Sequence, residues 1–244
     1  MALPKIGIPQ YKLDLISGQT IEYRPFTVKE EKILLMANES KDQKTITNAI
    51  RNVLNQCIIS QEGRPKTLVE DMPMFDVEQL FLHIRMKSVG EMSDFNVTCE
   101  ECEGSPTVKT QIDLNNVVVE NRDHGSVEKV MLTPDVGIEL SFPPFKSLMN
   151  VNPKNSYGED DPMVALDMIS ECIVSVYDDK QTYKRSDFSK REIDEFVDSF
   201  TQEHLKKINV FFDKMPRLTY DLEVECPCGK IMRKKLQGIT DFFG

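Results

Sequence analysis

The apolar positions of this chain change period several times, and each change predicts an element. From Tyr11 to Ile16 they alternate as YKLDLI, Ser17 to Thr20 supplies turn chemistry, and Ile21 to Arg24 alternates again, which predicts a β-hairpin ended by Pro25. From Val28 to Asn38 the period becomes helical, with Val28, Ile33, Leu34 and Leu35 near one side and Lys and Glu opposite. A second helix is predicted from Thr45 to Ile59, with Ile46, Ile50, Val53, Leu54 and Cys57 on its inner stripe. Gln61 to Lys66, with Gly63 and Pro65, reads as loop. Pro73 can open a third helix, which carries Phe75, Leu80, Phe81 and Ile84 toward a stop at Gly90. Met92 to Thr98 and Thr107 to Asp113 alternate as a second hairpin.

The polar stretch Asn121 to Gly125 is the expected link to the second half. There Val130 to Leu132, a turn over 133–137, and Ile138 to Phe142 predict a hairpin stopped by Pro143 and Pro144. Asn150 to Asp161 reads as a polar loop. Asp161 followed by Pro162 has the chemistry of a helix start, and a helix is predicted over Met163 to Tyr177. Ser189 and Glu192 form a capping box that opens a helix to Phe200. A further helix over His204 to Lys214 leads into a last hairpin, Leu218 to Glu225 with Ile231 to Leu236.

The two halves resemble each other. Phe81 to Cys99 falls without a gap on Ile208 to Cys226 at a constant offset of 127 residues, and what matches is kind: an apolar helix end, a break, an alternating strand and a cysteine. Upstream, at a smaller offset, Ile21-Glu22 matches Ile138-Glu139, Pro25-Phe26 matches Pro144-Phe145, and Gln56 to Ile59 matches Glu171 to Val174. A period this long is too great for a solenoid repeat. The expected fold is therefore α+β and internally duplicated about a pseudo-twofold. Residues 1–120 form a first repeat and 126–244 a second with a helical insertion, each a helical cluster flanked by antiparallel β-hairpins.

Composition narrows the function. The chain has 244 residues, 40% hydrophobic and 29% charged, a balance that can fold unaided. Its formal net charge of -10 argues against nucleic acid as a partner, because duplex binding rests on neutralised phosphates. No apolar run approaches the ~20 residues of a membrane helix, so no membrane partner is expected. The start, Met1 to Lys5, has no charged-then-apolar layout, which places the chain in the cytoplasm where it is made. Thiols stay reduced there, so the six cysteines are not read as three disulfides.

The candidate chemistry lies in two cysteine pairs. Cys99-x-x-Cys102 and Cys226-Pro227-Cys228 both fall at predicted hairpin tips, where a turn can direct two sulfurs at one point. Four thiolates would close a tetrahedral structural zinc site; no other cofactor is expected. Two readings stand against it. The duplication can place the tips at opposite ends, leaving free thiols on turns, and a thiol redox role is a third option that lacks a predicted helix N-terminus to lower a pKa. Cys57 and Cys172 lie in apolar stripes and read as small core residues. His83, His124 and His204 stand in no ligand spacing, and His83 reads as a half-buried helix residue. Glu159, Asp160 and Asp161 lack the spaced ligands of a calcium loop and read as the charged start of a helix. No G-x-S-x-G, P-loop or G-x-G-x-x-G occurs, so catalytic residues are expected to be none. Phe242-Phe243 either folds back on the core or docks into a partner.

Several segments carry a family resemblance: Ala2-Leu3-Pro4, Tyr11 to Leu15, Ile21 to Leu34 (IEYRPFTVKEEKIL), Asp71 to Asp76 (DMPMFD) and Lys87 to Glu91 (KSVGE). In them the chain resembles the T4-type bacteriophage baseplate hub family, which comprises hub subunits and hub assembly proteins of contractile-tailed phages. The resemblance implies a non-enzymatic role in tail morphogenesis, as a hub subunit acting through protein contacts. Its expected partners are other baseplate hub or tail proteins, with self-association left open. It implies a place in the host bacterial cytoplasm during assembly and in the virion tail baseplate. The alternatives are a hub assembly chaperone absent from the mature particle, and a zinc-binding or thiol enzyme built on the two cysteine pairs.

Overall fold

The first hairpin forms where the alternation predicts it, as β1 (Tyr11–Asp14) and β2 (Thr20–Tyr23), with Leu13 opposite Ile21 and Tyr11 opposite Tyr23. The structure is a computed structural model; it describes residues 6–59, 67–99, 102, 106–123, 127–150 and 162–242. The fold class is α+β, helices with small antiparallel sheets. Two compact units share the chain. The first takes Met1–Val69, Phe75–Arg122 and Pro216–Gly244, and the second Glu70–Met74 and Asp123–Met215.

In the first unit, β2 leads into α1 (Val28–Glu39) and α2 (Gln43–Cys57). The Asp42 side chain caps α2 by accepting from the Thr45 N–H at 2.9 Å. Ala49, Ile50, Val53, Leu54 and Cys57 are buried along one stripe. After α2 the backbone joins the hairpin: Arg24 N–H donates to Cys57 C=O and Ile59 N–H to Glu22 C=O. The core is organised around α3 (Met74–Ser88), which is buried on almost every side through Phe75, Val77, Leu80, Phe81, Leu82, Ile84 and Met86. Its polar residues are placed as well. Gln79 accepts from Ile16 N–H at 3.0 Å and Asp76 from Ser17 N–H at 3.1 Å, so the third helix holds the first hairpin's turn.

The face of α1 differs from the sequence expectation. Glu30, Leu34 and Ala37 are the buried residues, while Val28, Leu35 and Met36 are exposed. The reason is an ion pair. Arg24, just past β2, donates to both Glu30 carboxylate oxygens at 2.6 and 3.0 Å, and Glu30 also accepts from Thr27 N–H at 2.6 Å in a capping box. With Glu30 held against Arg24, Leu34 and Ala37 share its inner face while Val28, Leu35 and Met36 face outward.

After α3 come β3 (Met92–Thr98) and β4 (Thr107–Asp113), a two-stranded sheet paired from Met92–Asp113 to Thr98–Thr107. Ser93, Phe95 and Cys99 point inward, as does Ile112 across the ladder. A short strand that the sequence reading lacks, β5 (Val118–Glu120), follows.

In the second unit, β6 (Val127–Met131), β7 (Val136–Ser141), β8 (Ile173–Asp178) and β9 (Thr182–Lys184) form one antiparallel sheet in that order. Around it stand α4 (Phe145–Asn150), α5 (Pro162–Cys172), α6 (Lys190–Asp198) and α7 (Gln202–Asp213). Ile138, Leu140, Ile173, Phe145, Ile193, Ile208 and Phe211 fill its core, and the Phe142 and Phe211 rings stack at 4.8 Å. The helix expected to run to Tyr177 stops at Cys172. Ile173, Val174, Val176 and Tyr177 are β-branched or aromatic, and Ile173, Val176 and Tyr177 pair with β7, with a bulge at Val174.

The chain returns to the first unit at Pro216. There β10 (Arg217–Glu225) pairs with both β11 (Ile231–Gln237) and β5, in the order β11-β10-β5, and α8 (Gly238–Phe242) follows. Phe242 is buried; Phe243 lies outside the described residues. The change of unit falls between Arg122 and Asp123, and the chain from Pro216 to Gly244 belongs again to the first unit. Residues 216–244 join it because β10 finds its ladder on β5, with Leu218 opposite Val119.

Candidate metal centre

Cys99 and the Cys226–Cys228 pair stand just past the ends of β3 and β10. At the end of β3, Cys99 N–H donates to Pro106 C=O at 3.0 Å, one step beyond the Thr98–Thr107 pair. At the end of β10, Cys226 N–H donates to Lys230 C=O and Gly229 N–H donates back to Cys226 C=O, both at 2.8 Å. Gly229 has φ of +83°, a left-handed conformation that favours glycine and lets the chain turn within four residues.

All four sulfurs, of Cys99, Cys102, Cys226 and Cys228, lie within 4.8 Å of one another. Cys102 and Cys226 Sγ are 3.7 Å apart, although 124 positions separate them in the chain. Cys99 and Cys226 are buried, Cys102 is half-buried and Cys228 is exposed, so the cluster has an inner and an outer pair. Backbone donors face it: the N–H of Cys102 points at the Cys99 sulfur, that of Cys228 at Cys226, and that of Lys230 at Cys228.

As free thiols the four groups compete. Cys102 donates to Cys228 and Cys99, and this holds its thiol well above the ordinary range. At Cys99 burial opposes ionisation, but hydrogen bonds from Cys102 and Cys226 overcome it and the thiol falls below that range. Four thiolates at such distances repel strongly unless a cation lies between them. The cluster can therefore coordinate a soft metal in a closed tetrahedron, with no position left for substrate.

The other sequence candidates fall elsewhere. Cys57 and Cys172 are fully buried, and burial pushes both thiols up to about 12, which makes them core residues and poor nucleophiles. His83 is half-buried on α3, where burial and then Lys87 hold its pKa below the usual value. His204 accepts from Thr201 N–H at 3.3 Å in the cap of α7. His124 and the run Glu159, Asp160, Asp161 lie outside the described residues. The sequence reading held the meeting of the two tips as one option beside tips at opposite ends, and the structure places them together. A signal for it existed, since both pairs follow a helix and an alternating strand at matching positions.

Among the described residues, these features define an α+β protein with a four-sulfur cluster where Cys99 and Cys102 meet Cys226 and Cys228. The profile of the T4 bacteriophage base plate protein family matches residues 8–244, nearly the whole chain, and the protein belongs to that family. Comparison with curated proteins and with solved structures gave no significant match.

Proposed function

We propose that the protein is a non-enzymatic component of the baseplate hub in a contractile-tailed phage, working through contacts with other hub or tail proteins. The observation that carries this reading is the family match over residues 8–244. The exposed side of α1 supports it. Val28, Leu35 and Met36 present apolar surface there, at 67%, 54% and 71% exposure, in a helix whose inner side is already packed. The net charge of -10 supports proteins over nucleic acid as partners. Assembly takes place in the infected cell, and the place of action is the tail.

The same reading takes the chain as a duplication. The order hairpin, helices, hairpin occurs from β1 to β4 and again from β6 to β11, with α6 as largely the insertion. A hub subunit and a hub assembly chaperone differ in one measurable respect. Quantitative mass spectrometry of purified tails is expected to find the protein in fixed ratio to other baseplate components. Its presence only in hub intermediates, and not in tails, would replace the subunit with the chaperone. Its absence from both would remove the hub role.

A further inference from the structure

We propose that Cys99, Cys102, Cys226 and Cys228 hold one structural zinc ion, and that this ion fastens the returning C-terminal segment to the rest of the first unit. The inference rests on the geometry of the cluster and not on the hub role.

The distances select the chemistry. A disulfide places its sulfurs ~2.05 Å apart. Four sulfurs bound at ~2.3 Å around zinc stand ~3.8 Å apart along each edge of the tetrahedron. The Cys102–Cys226 separation is 3.7 Å, and the whole set stays within 4.8 Å. The four thiols are therefore spaced as ligands of a shared ion rather than as partners in a bond. Four sulfur ligands complete the coordination, which is the pattern of a structural rather than a catalytic site.

The surroundings fit a bound metal. N–H groups of Cys102, Cys228 and Lys230 point at three of the sulfurs, where they stabilise thiolate charge and fix ligand orientation, the usual task of an outer shell. The Gly229 turn and the Cys99–Pro106 hydrogen bond hold the backbone at Cys99, Cys226 and Cys228.

The position in the chain gives the ion its work. The hairpins carrying the pairs belong to different sheets, β3-β4 and β11-β10-β5. Residues 123–215 intervene before the chain returns at Pro216, where β10 forms three ladder pairs on β5. A zinc ion shared by the two tips adds a cross-link between these sheets and closes the loop from Cys102 to Cys226. Zinc loading is thus the condition for a stably seated segment 216–237.

Metal analysis of the untagged wild-type protein, purified without chelator and under reducing conditions, tests the assignment. The expected result is one zinc per chain. Cys102→Ser and Cys228→Ser, which alter the outer pair, are expected to lose it, while Cys172→Ala keeps it. Folded wild-type protein without stoichiometric zinc, or with iron in its place, would overturn the assignment. Hydrogen exchange before and after zinc removal tests the fastening. Amides of 217–237 are expected to lose protection at least tenfold more than those of α3, and equal loss or none would overturn it. Because the first measurement uses the unaltered chain, a variant that fails to fold does not weaken the test.

Discussion

Two glutamates of the first unit place opposite demands on pH. Glu30 is 3% exposed; the hydrogen-bonded Arg24 guanidinium is the main cause holding its carboxyl below the ordinary range, with burial opposing. Its contribution is present above about pH 4.5 and is lost as pH falls through the lower folded value. Removing one partner of a buried pair leaves the other uncompensated, so Glu30→Ala is expected to cost about 3 kcal/mol in denaturant unfolding at pH 7. Glu78, on α3, behaves in reverse. Burial lifts its carboxyl from 4.5 to about 7, so between these values the folded chain keeps a proton that the unfolded chain releases. Stability from this group falls as pH rises across that window. Denaturation curves at pH 5 and pH 8 should show a smaller loss for Glu78→Gln than for the wild type, and equal losses would contradict the burial of this group. The core thiols Cys57 and Cys172 were legible in the sequence because an apolar stripe surrounds each. The inward turn of Glu30 was not, because its partner Arg24 sits outside the helix and no periodicity within Val28 to Glu39 registers it.

At the scale of elements, local pattern located most helices and strands, and tertiary pairing decided the rest. Met92 to Thr98 and Thr107 to Asp113 have the predicted bounds because alternation and turn chemistry agree there. The strand after Cys172 was hidden in a longer apolar run, which periodicity cannot divide between helix and strand; its β-branched content was the usable signal. β5 is only three residues long and exists through its pairing with β10, so nothing local specifies it. The packing of α7 gives a direct test. Phe211 is fully buried and stacks on Phe142, and Phe211→Ala is expected to destabilise the protein by about 3 to 5 kcal/mol in thermal or denaturant unfolding. Gly137 faces Tyr177 across β7 and β8, where an added methyl would stand 2.4 Å from the phenol ring carbon. Gly137→Ala is therefore expected to cost about 1 kcal/mol, and less in a Tyr177→Ala background, as a double-mutant cycle would measure.

For the whole molecule the informative feature is the path of the chain. It builds part of one unit, completes another, and comes back to finish the first with a hairpin whose cysteines meet those of β3 and β4. Sequence alone supplied the cysteines, their hairpin tips and the family resemblance. It could not show that the tips converge, because that depends on long-range pairing of β10 with β5 across the second unit's residues. A chain that presents exposed Val28, Leu35 and Met36 on one helix suits the proposed role of a protein held by others. Infection with a phage carrying a nonsense codon in this gene tests that claim most directly. Electron microscopy and sedimentation of the lysate are expected to show baseplates arrested before hub completion, and restored by the wild-type chain in trans. Normal numbers of complete, infectious tails in its absence would contradict the account.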